Sequence, residues 1–147
     1  MAYKGATPST TSLPVSPRIV AFYERFYAVS DNPDLHEEYA RSLTPTATLT
    51  MGTRTAKGYD EILAVRKAIW AGPIISRKHV LEKIFPFSEN EVMVYGTVTY
   101  GLKNGKEVVV EWAGRTVFED QGGDDGLKMK FYQVYLDSAP VANAAKE

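Results

Sequence analysis

The spacing of apolar residues predicts a helix near the start of the chain. Ser16 and Pro17 suit its first turn, because serine caps free amide groups and proline has the backbone angle that the turn needs. Apolar residues then recur at steps of three and four, and they are Ile19, Phe22, Tyr23, Phe26 and Tyr27. This spacing predicts a helix with one buried, aromatic face.

A second, shorter helix is predicted directly after the first. Asn32-Pro33 repeats the combination of cap and proline, and the apolar spacing continues to about Leu43, where Pro45 is expected to end the helix. Residues 46 to 51 are rich in β-branched side chains and predict a short strand. Residues 52 to 57 then resemble a turn or a small hairpin.

The hydrophobic period changes from helical to alternating in the middle of the chain. A third helix is predicted from about Gly58 to the stop signal Gly72-Pro73. Beyond it, apolar and polar residues alternate, which is typical of strands. The four predicted strands cover residues 78 to 87, 91 to 102, 107 to 119 and 127 to 137.

The strongest local signal is Asn104-Gly105, which predicts a tight hairpin with a type I′ turn. Helices followed by antiparallel strands indicate an α+β fold, in which a curved antiparallel sheet wraps around three N-terminal helices. Such a sheet leaves a cavity between its concave face and the aromatic helix. We therefore predict an α+β domain with an internal binding space.

The 147-residue length fits one domain. We expect it to span residues 16 to 138, with flexible tails at 1 to 15 and 139 to 147. The N-terminal segment has no apolar core typical of a signal peptide, and no stretch is long and apolar enough to cross a bilayer. These features favour a cytoplasmic protein without a membrane partner.

Composition and motifs exclude several classes of function. The net charge of -1 argues against a nucleic-acid partner, and the absence of cysteine excludes thiol chemistry and disulfides. Glycine-rich dinucleotide and phosphate motifs and the GxSxG nucleophile motif are absent from the sequence. His36-Glu37-Glu38 lacks a second histidine at metal-binding spacing. We expect no cofactor and no metal.

His79 is the side chain best suited to catalysis, because an imidazole can both accept and donate a proton near neutral pH. Alternation places it on one strand face with Leu81, Lys83, Phe85 and Phe87. The alternative is a histidine that only hydrogen-bonds a neighbour at a strand end. Asp31 is a second candidate acid, although capping of the first helix would also explain it.

Other candidates are residues that could contact a ligand. Trp112 lies on an apolar face of its predicted strand, and core packing is the alternative explanation. Tyr23 and Tyr27 could donate hydrogen bonds to a carbonyl oxygen, or point their hydroxyls to water. On the last strand, Gln133 and Tyr135 are predicted to face the cavity. The alternating residues Tyr132, Val134 and Leu136 are then predicted to lie on the outer surface.

Four segments give the chain a resemblance to a known superfamily. They are TPTATLTM, KGYDEILAVRKAIW, ISRKHVLEKIF and GLKMKFYQVYLDSAP. In order and character they resemble the nuclear transport factor two-like superfamily, and within it the SnoaL-like branch. The resemblance implies the cone-shaped fold, a small apolar ligand and a homodimer formed through the outer sheet face.

A more distant similarity links SRKHVLE to the strand that carries the catalytic histidine of scytalone dehydratases. It implies a catalytic role for His79, and Asp31 matches the position of the catalytic aspartate in those enzymes. The tyrosines of that site fall near Ser30 and Met51 here, which makes Met51 a candidate ligand contact and speaks against the same activity.

Together these observations lead to two hypotheses. In the first, the protein is a cofactor-free cyclase, isomerase or dehydratase that uses general acid/base catalysis on an apolar polyketide-like or terpenoid-like compound. In the second, it is a non-catalytic ligand-binding or dimerisation module whose aromatic side chains fill the cavity.

Overall fold

The computed structural model describes residues 6–8 and 14–146, and in these ranges it contains four helices and six strands. In chain order they are α1 (Pro17–Ser30), α2 (His36–Arg41), β1 (Leu43–Met51), β2 (Arg54–Lys57), α3 (Gly58–Trp70), β3 (Ile74–Pro86), β4 (Glu91–Leu102), β5 (Glu107–Asp120), β6 (Leu127–Leu136) and α4 (Ala139–Ala145). The predicted tail over residues 1 to 15 lies mostly outside the described residues.

Helix α1 forms as its sequence predicts. The Ser16 side chain accepts a hydrogen bond from the Arg18 amide at 3.2 Å, and Pro17 occupies the first turn. The aromatic face is buried against the sheet, where the Phe22 ring meets the Phe118 ring edge-on at 5.1 Å. This aromatic contact ties α1 to β5 and forms one end of the core.

Helix α2 is shorter than predicted. It ends at Arg41, and Pro45 lies inside β1 instead of terminating the helix. Strand β1 tolerates this proline because its pairing with β6 is irregular between Leu43 and Thr48. The prediction that Pro45 ends α2 was therefore wrong.

The six strands form one curved, open sheet in the order β2-β1-β6-β5-β4-β3. Strands β3 to β6 pair antiparallel as an up-and-down meander, which confirms the α+β prediction. Strand β1, however, pairs parallel with β6, so the sheet is mixed instead of purely antiparallel. Parallel pairing is possible here because α3 and the meander separate the two strands in sequence.

The predicted hairpin between β4 and β5 is present, but its turn differs from type I′. Gly105 has a φ of 85°, whereas Asn104 has no positive φ, and the Gly105 amide donates to the Leu102 carbonyl at 2.9 Å. A three-residue loop of this kind needs only the glycine in the left-handed region.

The strand pairing is irregular at several points, and at two of them a bulge turns residues to a face that the alternating pattern did not predict. The pairing of β3 with β4 shifts between Leu81 and Lys83, so that Ile84 turns inward and Phe85 is 52% exposed. The prediction that Lys83 and Phe85 share the face of His79 was therefore wrong.

The second bulge lies in β6. The pairing with β5 shifts at Lys130, and the buried side chains on either side of it are Met129 and Tyr132, which are three residues apart. The inward face of β6 thus changes from odd to even residue numbers at this point.

At the C-terminal end, residues 139 to 145 form helix α4 where a frayed tail was expected. Val141, Ala144 and Ala145 pack against the hydrophobic core, and the Asn104 side chain donates to the Ala144 carbonyl at 2.8 Å. This helix closes one side of the interior. Among the described residues, no helix is long and apolar enough to cross a membrane.

Candidate functional site

A cavity of about 510 Å³ lies between helices α3 and α4 and the concave face of the sheet. This volume is in the range of small-molecule sites. Apolar side chains make up much of the wall, and they are Met51, Val65, Ile69, Pro73, Ile74, Trp112, Val134, Leu136, Val141 and Ala142. The polar or charged side chains that reach it are Ser30, Tyr39, Thr53, Arg54, Arg77, His79, Tyr100, Tyr132 and Ser138.

His79 and Asp31 form a hydrogen-bonded pair at the edge of this cavity. Asp31 ends α1, and its carboxylate meets His79 at two atoms: Oδ2 accepts from the backbone amide at 2.9 Å, and Oδ1 lies 2.5 Å from ring Nδ1. The side chain of His79 is only 13% exposed and that of Asp31 only 16%. Because Asp31 holds both the backbone and the ring of His79, the imidazole is fixed in position and Nε2 has no hydrogen-bond partner among the described residues.

Two aromatic rings hold the imidazole from the sides. The Tyr27 ring lies 5.0 Å from the His79 ring, and the Trp112 ring meets it edge-on at 5.5 Å. The Trp112 indole nitrogen donates to the Thr97 carbonyl at 3.0 Å. The indole hydrogen bond is thus used within the sheet, and Trp112 offers the cavity an apolar ring surface.

Tyr27 and Tyr132 hydrogen-bond each other, with their hydroxyl oxygens 2.9 Å apart. Burial raises the pKa of both phenols well above the usual value. Both groups therefore remain protonated at physiological pH and act as hydrogen-bonding hydroxyls, not as proton acceptors.

Tyr39 and Tyr100 are buried tyrosines on the cavity wall, and neither hydroxyl makes a hydrogen bond within the described residues. Burial raises the pKa of Tyr39 to about 12 and also raises the pKa of Tyr100. Both side chains thus keep a proton that they can donate to an oxygen atom of a ligand.

Two arginines, one buried and one on the cavity wall, have different environments. Arg66 is 1% exposed and donates to the carbonyls of Ser30 at 2.7 Å and Asn32 at 2.8 Å, and its Nε donates to His36 Nδ1 at 3.1 Å. Burial lowers the pKa of Arg66 to about 10, which leaves it charged. Arg77, by contrast, lines the cavity and has neither a hydrogen bond nor a carboxylate partner within the described residues.

Five of the eight residues proposed from the sequence come together. His79, Trp112 and Met51 line the cavity, and Asp31 and Tyr27 contact His79 directly. Tyr23 differs, because its hydroxyl donates to Thr116 at 2.8 Å inside the core and it has no surface on the cavity.

Gln133 and Tyr135 lie on the outer face of the sheet, so the prediction that they face the cavity is corrected. Tyr135 is 45% exposed, and Gln133 lies opposite Arg115 on the solvent side. The cause is the bulge at Lys130, after which the even-numbered residues of β6 turn inward. Tyr132, Val134 and Leu136 therefore line the cavity instead of the outer surface.

Sequence reasoning also missed Arg77, Tyr100 and Tyr132 as cavity residues. Arg77 could have been found, because it precedes His79 by two residues and alternation places both on one face. Tyr132 depends on the bulge, for which the sequence carries no local signal.

A second concavity, an open groove of about 420 Å³, lies between α1 and β3 on the other side of the Asp31–His79 pair. Charged side chains surround it, including Glu24, Lys78 and Glu82. The cavity next to α4 is a better ligand site because it combines an apolar wall with converging polar groups. Within the described residues, no group of three or more potential metal ligands is found.

No protein-family model and no curated protein sequence matches this chain. Solved structures do match it. A candidate SnoaL-like polyketide cyclase from Jannaschia sp. CCS1 aligns with a TM-score of 0.69 at 15% identity, over 93% of this chain and 97% of that one. TerC co-crystallised with polyporic acid aligns with a TM-score of 0.68 at 14% identity, over 88% and 96% of the two chains.

A protein from Catenulispora acidiphila in complex with S-DNPA aligns with a TM-score of 0.70 at 22% identity, over 85% of this chain and 95% of that one. These similarities show that the chain has the nuclear transport factor two-like fold of the SnoaL-like proteins. At such identities they establish the fold, and the chemistry has to be argued from the site.

Proposed function

We propose that this protein binds a small, largely apolar molecule in the cavity and moves a proton on it with His79. The observation that carries the proposal is the pairing of Asp31 with His79, which orients a partly buried imidazole at the wall of an apolar cavity. When His79 donates from Nδ1 to Asp31, the neutral ring has its lone pair on Nε2 and can act as a general base.

The tyrosines supply the second requirement of such a reaction. Removal of a proton next to a carbonyl group builds negative charge on the carbonyl oxygen, and hydrogen-bond donors in a dry site stabilise that charge. Tyr39 and Tyr100 have hydroxyls without partners on the described residues and raised pKa values. Tyr27 and Gln133, which the sequence predicts to be ligand contacts, are less suitable, because the Tyr27 hydroxyl is bonded to Tyr132 and Gln133 lies on the outer face of the sheet.

Similar folds also support ligand binding. TerC was crystallised with polyporic acid and the Catenulispora acidiphila protein with S-DNPA, so this architecture accepts small organic molecules in other chains. By analogy, we propose a cofactor-independent cyclase, isomerase or dehydratase acting on a polyketide-like or terpenoid-like carbonyl compound.

A proton-exchange assay tests the proposal directly. A panel of apolar ketones such as 2-tetralone is incubated with the protein in D₂O, and deuterium incorporation next to the carbonyl is followed by NMR. Replacement of His79 by Gln should reduce the exchange rate about 10²- to 10⁴-fold. The matched control is His36→Gln, which changes a histidine that does not line the cavity and should leave exchange intact. Equal exchange by His79→Gln and the wild type contradicts the proposal.

The second candidate function is ligand binding without catalysis. The buried, fixed imidazole would then serve only to shape the wall, and the panel would bind without exchange that depends on His79. A cavity filled by the protein's own aromatic side chains is not observed, because the rings of α1 pack against β5 and β6 and leave about 510 Å³ free.

We also propose that two copies associate through the outer face of the sheet, as the resemblance implies. Exposed apolar side chains on this face support the proposal: Val80 is 48% exposed, Val109 63% and Tyr135 45%. They replace the stripe predicted from the sequence, which lies in the cavity. A cytoplasmic location remains a proposal from the sequence.

A further inference from the structure

We infer that the natural ligand of the cavity carries a carboxylate group, and that Arg77 binds it. The inference rests on the proposed function, because it names the chemical class of the molecule that the same cavity holds. It starts from the environment of Arg77, which differs from that of Arg66.

The guanidinium group of Arg77 lacks an acceptor. Its Nε and Nη2 atoms are buried and make no hydrogen bond, and the side chain lies on the cavity wall. Its contacts are with aromatic rings: the guanidinium carbon lies 4.4 Å from the Trp70 ring centre and 5.7 Å from that of Tyr100. These rings fix the plane of the group but use none of its N–H donors.

A buried donor without an acceptor costs free energy, and a buried charge costs more. The Trp70 indole nitrogen is a further buried donor without a partner, next to Arg77. Burial accordingly lowers the pKa of Arg77, although the neighbouring Tyr100, Tyr39 and Asp31 counteract this in part. Asp31 is not this acceptor in the structure, because its oxygens bond to His79 and neither bonds to Arg77.

The charges on the cavity wall have the same sign. Arg54 and Arg77 line the cavity, and none of the described residues that line it is an aspartate or a glutamate. An anion is therefore favoured over a cation or a neutral molecule of the same shape. Among anions, a carboxylate suits Arg77 because its two oxygens match neighbouring nitrogens of one guanidinium group.

This arrangement also orients the ligand for the proposed reaction. Arg77 and His79 are two residues apart on β3, so their side chains emerge on the same face of the strand. A carboxylate held by Arg77 places the neighbouring carbon skeleton beside His79 and Trp112. Arg77 is thus a positioning and specificity residue for the proton transfer that His79 performs.

A matched pair of probes tests the inference: 2-naphthoate, which is an anion at neutral pH, and 2-naphthamide, which has nearly the same shape without charge. Binding of each to the full chain is measured by calorimetry and by NMR shifts of the tryptophan indole signals. The wild type should prefer 2-naphthoate by about tenfold or more, as expected for a charge-assisted hydrogen bond.

Three variants test whether Arg77 causes the preference for 2-naphthoate. Arg77→Gln should bring the preference within about twofold while affinity for 2-naphthamide stays unchanged, which also shows that the variant is folded. Arg77→Lys should retain part of the preference, because it keeps the charge. Arg54→Gln, which removes the other positive charge of the cavity wall, should lower the preference less than Arg77→Gln does, because Arg54 is exposed to solvent at the rim.

The outcomes separate this inference from the proposed function. If the wild type binds 2-naphthamide as tightly as 2-naphthoate, or if Arg77→Gln keeps the preference, the carboxylate inference is wrong and the cavity remains a ligand site. Loss of the preference in Arg54→Gln instead of Arg77→Gln also overturns it. If neither probe perturbs the Trp112 signal in the wild type, the ligand-binding function fails together with the inference.

Discussion

Asp31 contacts His79 at two atoms at once, accepting from the backbone amide at 2.9 Å and lying 2.5 Å from ring Nδ1. The two residues are separated by 48 positions in sequence, and this contact joins the end of α1 to the middle of β3. A carboxylate that holds both the strand and the ring sets the position and the tautomer of the imidazole together.

Replacement of Asp31 by Asn should alter the tautomer of His79. The neutral ring in the wild type should carry its proton on Nδ1, whereas an amide can donate to Nδ1 and thereby favour the Nε2-protonated form. The ¹⁵N chemical shifts of the ring distinguish the two forms. Deuterium exchange in the ketone assay should fall about 10²- to 10⁴-fold with the loss of the base at Nε2.

The control for this variant is Asp34→Asn, which changes an exposed carboxylate on the same loop. It should leave the ring shifts and the exchange rate as in the wild type. Unchanged ring shifts in Asp31→Asn would show that Asp31 does not set the tautomer.

Gly96→Ala should destabilise the fold next to the site. A Cβ atom at Gly96 would collide with the Val80 carbonyl oxygen, because β3 approaches β4 closely at the bulge after Leu81. We expect a loss of about 1–3 kcal/mol in the free energy of unfolding, the usual cost of overpacking, measured by urea denaturation. The control is Ala113→Gly on β5, which measures the effect of one methyl group on a strand where the backbone leaves room for it. Gly52→Ala is unsuitable as a control, because the φ of 59° at Gly52 would strain any alanine there. Full stability of Gly96→Ala would show that the bulge can move.

The sequence predicted the parts of the fold that depend on local patterns. Capping at Ser16, the aromatic face of α1 and the alternation of β4 and β5 all reflect interactions within one element or one strand pair, and the structure has them. His79, Trp112 and Met51 lie on the cavity wall, and their role as site residues stays a prediction.

The errors have a common physical cause. A bulge moves every later side chain of its strand to the other face, and neither the bulge in β3 nor the one in β6 leaves a signal in the residues around it. For this reason Phe85, Gln133 and Tyr135 were assigned inward and Tyr132 outward. Helix α4 was missed because small residues give no clear helical pattern, and its contact with Asn104 is a tertiary interaction.

Asn104→Asp should loosen α4 without changing the hairpin. The side-chain Oδ1 accepts from the Lys106 amide at 3.1 Å, and an aspartate can still do so, whereas the donor to the Ala144 carbonyl is lost. Loss of one hydrogen bond lowers the local stability of α4 by about 1 kcal/mol, which should raise the hydrogen-exchange rate of its amides about fivefold.

The readout for this variant is hydrogen–deuterium exchange by mass spectrometry, with the β4–β5 hairpin as the internal reference. Exchange should rise over residues 139 to 145 and stay constant over residues 99 to 110. An unchanged α4 would mean that Val141 and Ala144 alone hold the helix against the core.

His36 should contribute to a loss of stability in mild acid. Burial and the neighbouring Arg66 guanidinium lower the pKa of His36 below 6.5, because protonation would remove the acceptor that Arg66 Nε uses. Since the unfolded chain binds this proton more readily, the contribution of His36 is complete above about pH 6.5. It is lost as the pH falls below that value and through the lower pKa of His36 in the folded protein. His36→Gln, which can accept the same hydrogen bond without titrating, should show a shallower decline between pH 6.5 and 5.5 in urea unfolding. Above pH 7 the free energy of unfolding should change with pH in the same way in the wild type and in His36→Gln. An identical decline of the two proteins below pH 6.5 would show that His36 does not contribute to the loss of stability.

The outer face of the sheet provides the test of self-association. Val80, Val109 and Tyr135 expose apolar surface on three different strands, and a charge on this surface should be incompatible with burial against a second copy. Val109→Lys puts such a charge on β5, and it should convert a dimer to a monomer in light scattering. Binding of 2-naphthoate should be unchanged, because Val109 does not line the cavity. Lys130→Gln on the same sheet is the control that lowers the charge, and it should leave the mass unchanged. A monomeric wild type at high protein concentration contradicts the proposed dimer, and a dimer that survives Val109→Lys places the contact away from this face.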